Sequence, residues 1–206
     1  MSFLRSLIGS RSAHNMVKKT PPKPTVPTAI KSSENLVLED GVETAVFASG
    51  CFWGTEHMFD QHYSHLPKWK CVSGYTGGDV TNPSYRQVCS GSTGHAEAVQ
   101  LTYQKGSVGY GELVEFFYRT HDPTTLNSQG PDRGSQYRSG IFTHSKEQED
   151  IAKAVTAEVQ EKYLKGRPIV TAILPAAEWY DAEEYHQKYL NNNPGGYECP
   201  THRFYW

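Results

Sequence analysis

Short apolar runs of strand length alternate with segments of helical period along most of the chain, and this alternation limits the fold more than any other feature of the sequence. "TAVFAS" (Thr44 to Ser49), "WKCVSGYT" (Trp69 to Thr76), "HAEAVQLTY" (His95 to Tyr103), "YRSGIFTH" (Tyr137 to His144) and "PIVTAIL" (Pro168 to Leu174) are strand candidates. Helices are expected from Phe52 to about Asp60, from Tyr110 to His121, after Ser145, and from Ala182 to Leu190. Ser145 and Gln148 have capping-box spacing, Ile151, Val155 and Val159 recur every four residues, and Gly166 is a natural stop. In this order the elements predict one α/β domain with a mixed sheet and no internal repeat.

At 206 residues the chain is long enough to bury a core without disulfide staples. Its 20 Lys and Arg oppose 22 Asp and Glu, for a formal charge of -2, and no basic run is long enough to track phosphates, so nucleic acid is not an expected partner. No apolar stretch approaches the roughly 18 residues of a helical membrane span, so a soluble protein without a membrane partner is expected. Cys51, Cys71, Cys89 and Cys199 form no CxxC pair. That fits neither a secreted disulfide scaffold nor a standard zinc knuckle and points to a reducing, cytoplasmic compartment.

Residues 1–40 read as a disordered arm: no acidic residue precedes Glu34, and "TPPKPTVP" is proline-rich. The opening "MSFLRSLIGSRSAHN" has the Arg, Ser and apolar mixture of a mitochondrial presequence as well as that of a plain tail, and Met16 offers a second start for a cytosolic form. Residues 41–206 read as the folded domain, closing in an irregular tail.

In "ASGCFWGTEH" Cys51 stands at a strand-to-helix junction. The unpaired N–H groups of a helix's first turn favour negative charge, which makes Cys51 a candidate thiolate; the alternative is a small buried hydrophobe, and position alone leaves both open. Phe52 and Trp53 are ordinary core residues or the wall of a pocket for a small apolar group. Alternation in "HAEAVQLTY" puts Glu97 on the face of Val99, Leu101 and Tyr103. Glu97 is therefore either a buried carboxyl kept protonated as an acid, a strand-end group reaching solvent, or the partner of an arginine.

Tyr85 and Tyr137 lie in turn-rich segments, and Asp132 in "GPDRG" has the look of a turn residue. Cys199 sits in "GGYECPTH", where flexibility would let its thiol swing toward another site. Cys71 and Cys89 read as buried structural sulfurs. Two rival functions use the same thiols: a Cys–His hydrolase, with His95 as the nearest base, and a zinc-binding module.

Taken together, "GCFWGTE", "GYTGG", "NPSYRQVCSGSTGHAE", "HDPTTLNSQGPDRGSQYRS", "AEEYHQKYL" and "NPGGYECPTH" give a stretch from about Thr44 to His202 that closely resembles peptide methionine sulfoxide reductase A. The resemblance implies a two-layer α/β (α+β) sandwich around a mixed sheet with a ferredoxin-like core; a monomer is expected. It implies Cys51 as nucleophile, Phe52 and Trp53 as the seat of the sulfoxide's methyl group, and Glu97, Tyr85 and Tyr137 as partners of its oxygen. Asp132 would support the site and Cys199 would be the resolving thiol. The implied reaction is reduction of methionine S-sulfoxide, free or in proteins, through a sulfenic acid and a Cys51–Cys199 disulfide that thioredoxin reduces, with no metal or other cofactor. Many relatives carry a further recycling cysteine in a glycine-rich tail; no thiol follows Cys199 here, so a two-cysteine cycle is expected.

Overall fold

The computed structural model describes residues 18–206. In chain order the elements are α1 (Pro27–Ser32), β1 (Val42–Ser49), α2 (Phe52–Tyr63), β2 (Lys70–Thr76), α3 (Tyr85–Cys89), β3 (Ala96–Gln104), α4 (Tyr110–Arg119) and the two-residue strands β4 (Ser128–Gln129) and β5 (Asp132–Arg133). A 3-10 turn (Ser135–Tyr137) leads to β6 (Ser139–Thr143), α5 (Lys146–Lys162), β7 (Ala172–Pro175), β8 (Trp179–Asp181), a second 3-10 turn (Glu184–His186) and α6 (Tyr189–Asn192).

The main sheet runs β7-β6-β1-β3-β2-β8, antiparallel except for the β6/β7 edge pair, and β4 and β5 form a separate hairpin. Alternation along the central strands divides two layers of packing. Ala45 and Phe47 of β1 and Val99, Leu101 and Tyr103 of β3 join the large core shared with α2, α4 and α5. Val46, Ala48, Ala96 and Ala98 face the other way, under Phe142 and Trp179. Stacked rings thicken the helix side: Phe47 lies 5.4 Å from Phe59 and 5.2 Å from Phe117.

Local chemistry sets several boundaries differently from the expected ones. Ser145 does accept the backbone N–H of Gln148, but the Gln148 side chain turns to the N–H of His144 and the carbonyl of Thr44 instead of closing a capping box. The closed box occurs at α3, where Ser84 and Gln87 cap each other and make a short helix out of an expected turn. "PIVTAIL" contributes only its end to β7, and Trp179–Asp181 forms an edge strand too short to leave a pattern. The expected helix from Ala182 to Leu190 is broken, because Lys188 adopts the left-handed conformation at φ 53°.

Within the expected disordered arm, Pro27–Ser32 form a packed helical turn, α1; residues 1–17, with the presequence-like stretch and Met16, lie outside the described residues. α1 starts on a proline at its first turn. Two carboxylates from the helix layer hold it: Glu115 accepts the N–H groups of Thr25 and Val26, and Glu158 accepts the N–H and hydroxyl of Thr28. Val26 and Ala29 are then fully buried, and a buried valine alone contributes about 1.5 kcal/mol or more. A proline-rich composition argues against a helix of ordinary length, but it does not exclude one turn strapped by partners distant in sequence.

Candidate active site

β1 delivers the chain to Gly50, whose φ of +95° only glycine adopts without strain, and an added Cβ there would lie 2.5 Å from the Gln129 side chain. Cys51 follows as the N-cap residue of α2, 7% exposed. Burial, then the nearby Glu97 carboxyl, push its thiol well up from the ordinary range, against the pull of the backbone N–H groups of Trp53 and Gly54. Of the two readings that position left open, this environment favours the protonated, buried thiol: the first-turn dipoles are present, but desolvation and two neighbouring carboxyls, Glu97 and Asp132, outweigh them.

β3 runs beside β1 with Val99 opposite Phe47, which carries Glu97 to the end of β1 where the chain turns into the thiol loop. Glu97 is 1% exposed. Its Oε2 accepts the backbone N–H of Phe52 at 3.1 Å. Burial pushes its carboxyl up to about 8, with the Phe52 N–H opposing and Asp132 adding to the rise. Of the three sequence readings, burial on the strand face is the one this geometry matches.

Phe52 is buried among Tyr75 at 5.9 Å, Tyr85 at 6.4 Å and His186 at 5.1 Å. The half-buried Trp53 stacks on Tyr189 at 3.7 Å, and its indole N–H donates to His186 Nδ1. The Glu183 carboxylate takes the backbone N–H of Tyr85 at 2.9 Å and the hydroxyl of Tyr75 at 2.8 Å, fixing α3 against this aromatic group. Tyr137 is half-buried in the turn after the β4/β5 hairpin. Burial comes first in raising its hydroxyl, followed by the charges of Glu97, Cys89, Asp132 and Cys51, so it belongs to the same neighbourhood.

Asp132 accepts the Tyr197 hydroxyl on Oδ1 at 2.8 Å, while Oδ2 is buried without a protein partner. Cys199 is 1% exposed and donates to the Gln129 carbonyl at 3.6 Å, with Thr201 Oγ1 at 3.1 Å. The swinging tail is thus corrected: the segment is irregular, yet Cys199 is packed in place. Cys89 is corrected as well, since it is exposed at the end of α3; Cys71 is buried as expected.

His202 is a site neighbour that sequence reading missed. Its Nε2–H donates to the Ser49 carbonyl at 2.9 Å, and its ring lies against Gly54, where any Cβ would come within 2.0 Å of Nδ1. The second glycine of "GCFWG" is therefore a contact requirement of the tail. Gln129 was also missed; its side chain abuts Gly50 and its carbonyl receives the Cys199 thiol, so one residue touches both thiol loops. His95, the rival base, is occupied on both nitrogens, donating to the Val80 carbonyl and accepting the Gly78 N–H. Among the described residues no group of three or more His, Cys, Asp or Glu has metal-binding geometry.

These contacts put an uncharged thiol, a raised carboxyl, aromatic rings and a second buried thiol around one helix N-terminus, a set suited to redox chemistry of sulfur. A family model described as peptide methionine sulfoxide reductase matches residues 43–203. A probable peptide methionine sulfoxide reductase of Schizosaccharomyces pombe is 46% identical over 166 residues, covering 80% of this chain and 98% of that protein. The crystal structure of reduced Mxr1 from Saccharomyces cerevisiae superposes with a TM-score of 0.75 at 42% identity, over 84% of this chain and 97% of that one. Mxr1 from the same yeast in complex with Trx2 aligns with a TM-score of 0.55 at 31% identity, over 84% of this chain and 96% of its own. The chain belongs to the peptide methionine sulfoxide reductase family of enzymes.

Proposed function

We propose that this chain reduces methionine S-sulfoxide, free or in proteins, to methionine, with Cys51 as nucleophile, Cys199 as resolving thiol and thioredoxin as reductant. The observation that carries the reading is the Glu97 carboxyl, buried at the N-terminus of α2 beside Cys51 and raised to about 8. A sulfoxide resists thiol attack because its sulfur–oxygen bond must break with the electrons going to oxygen, so the site has to deliver a proton to that oxygen. At neutral pH both Cys51 and Glu97 hold their protons. Glu97 Oε2 is engaged by Phe52, which leaves Oε1 to carry the proton.

With the sulfoxide's methyl group against Phe52 and Trp53 and its oxygen held by Glu97, Tyr85 and Tyr137, Glu97 protonates the oxygen and takes the proton of Cys51. The sulfoxide's sulfur–oxygen bond breaks and the oxygen, as hydroxyl, ends on the Cys51 sulfur, so methionine is released as the reduced product and Cys51 is oxidised to a sulfenic acid; the Cys199 thiol condenses with that acid to a disulfide and water. Asp132 orients the tail that carries Cys199 through Tyr197. An external dithiol then restores both thiols. The Mxr1–Trx2 complex supports thioredoxin in that role. All electrons come from thiols, so the cycle needs no metal or bound cofactor.

Residues 41–206 would constitute the catalytic domain, a monomer working in the cytoplasm and, if residues 1–17 act as a presequence, in mitochondria. No helix among the described residues is long and apolar enough to cross a membrane. The test is a thiol count before and after one equivalent of methionine S-sulfoxide without reductant, followed by mass mapping. Released methionine, loss of two thiols and a Cys51–Cys199 link support the cycle; no methionine overturns it, and a link through Cys71 or Cys89 overturns the resolving assignment.

A further inference from the structure

Lys188, a left-handed lysine, sets its ammonium against two buried acidic side chains, Asp60 and Glu56; burial pushes the Glu56 carboxyl up to about 7 against the pull of Lys188. Lys188 Nζ lies 2.5 Å from Asp60 Oδ2 and 3.5 Å from Glu56 Oε1, and donates to the Cys71 carbonyl at 2.5 Å. Its backbone N–H donates to Glu56 Oε2 at 2.7 Å. Glu56 and Asp60 occupy successive turns of α2, directly after Phe52 and Trp53, and Asp60 also accepts the Trp69 indole N–H at 2.8 Å. The left-handed backbone, which a lysine adopts only under strain, sets His186 and Tyr189 on either side of this anchor. Both hold the Trp53 indole, His186 at its N–H and Tyr189 on its face at 3.7 Å.

We propose that Lys188 is a positioning residue for Trp53: by clamping the 186–189 segment onto Glu56 and Asp60 of α2, it fixes the indole that walls the seat of the sulfoxide's methyl group. The role of Trp53 in substrate binding rests on the function proposed above. The indole's being held by the clamp does not. Gln187 ties the same segment to β2 through both the N–H and the carbonyl of Ser73, so the clamp has a rigid outer wall to work against.

Two measurements test this. In an amide and indole NMR spectrum, the Trp53 Nε1–H signal, identified by its loss in Trp53→Phe, should shift or broaden in Lys188→Met; an unchanged signal overturns the proposal whatever the enzyme's activity. In steady-state kinetics with methionine S-sulfoxide and thioredoxin, Lys188→Met should raise KM about fivefold to tenfold, the size of a lost aromatic contact, with kcat within about twofold. Combined with Trp53→Phe it should add nothing, whereas multiplied effects, or an unchanged KM, overturn the positioning role. Should Lys188→Met fail to fold because two carboxylates are left unpaired, the neutral variant Glu56→Gln, Asp60→Asn, Lys188→Met carries the same test with the same outcomes. A wild-type enzyme that releases no methionine would defeat the proposed function and leave the NMR result to decide the clamp.

Discussion

Glu97 Oε2 and the backbone N–H of Phe52, 45 positions apart in the chain, meet at 3.1 Å and fasten β3 to the first turn of α2. The bond orients the carboxyl beside Cys51, and the burial that comes with it keeps the acid protonated.

Glu97→Gln should therefore slow single-turnover methionine release by on the order of 10² to 10⁴, the usual loss on removing a general acid. The wild-type rate should fall as pH passes about 8, and the variant should lack that fall. Stability carries the same signature. The carboxyl ionises near 4.5 ordinarily and near 8 in the fold, so the native state holds the extra proton between those values and wild-type stability declines as pH rises through them. Urea melts of Glu97→Gln across this range should show a flatter profile.

Gly54→Ala places a methyl group 2.0 Å from Nδ1 of the buried His202 ring. The helix gains propensity from alanine, but overpacking should prevail and destabilise the protein by about 1–3 kcal/mol. Because His202 lies three residues beyond Cys199, disulfide formation after one turnover should slow more than methionine release, which rapid quench followed by thiol titration resolves.

Alkylation should follow exposure and not nucleophilic role. Iodoacetamide at neutral pH should modify the exposed Cys89 first, while Cys51, Cys71 and Cys199 are buried and burial raises each of their thiols. Peptide mapping over time checks the order, and Cys89→Ser should retain wild-type turnover. In Cys199→Ser, one methionine should appear per enzyme without thioredoxin-supported cycling.

Glu115→Ala should cost about 3 kcal/mol, because the buried carboxylate serves the N–H groups of Thr25 and Val26 and pairs with Arg119 at 3.7 Å. Limited proteolysis should then cut between residues 18 and 33 sooner than in the wild type.

The sequence by itself determined the interleaving of strands and helices and the strand face on which Glu97 stands. Alternation along β3 identified which side of the strand Glu97 shares with Val99 and Leu101, because a strand's period of two leaves no choice once one face is buried. It likewise placed Cys51 at a strand-to-helix turn, since the glycines and the apolar run are local signals. Only the tertiary structure decided the protonation state of the thiol, the fixed position of Cys199 and the order of residues 18–33. Each depends on partners far along the chain: Glu97 and Asp132 against Cys51, Gln129 against Cys199, Glu115 and Glu158 against the first helix. Local pattern reports which face a residue occupies, whereas the charge it carries and the mobility it retains are set by what folding brings against that face.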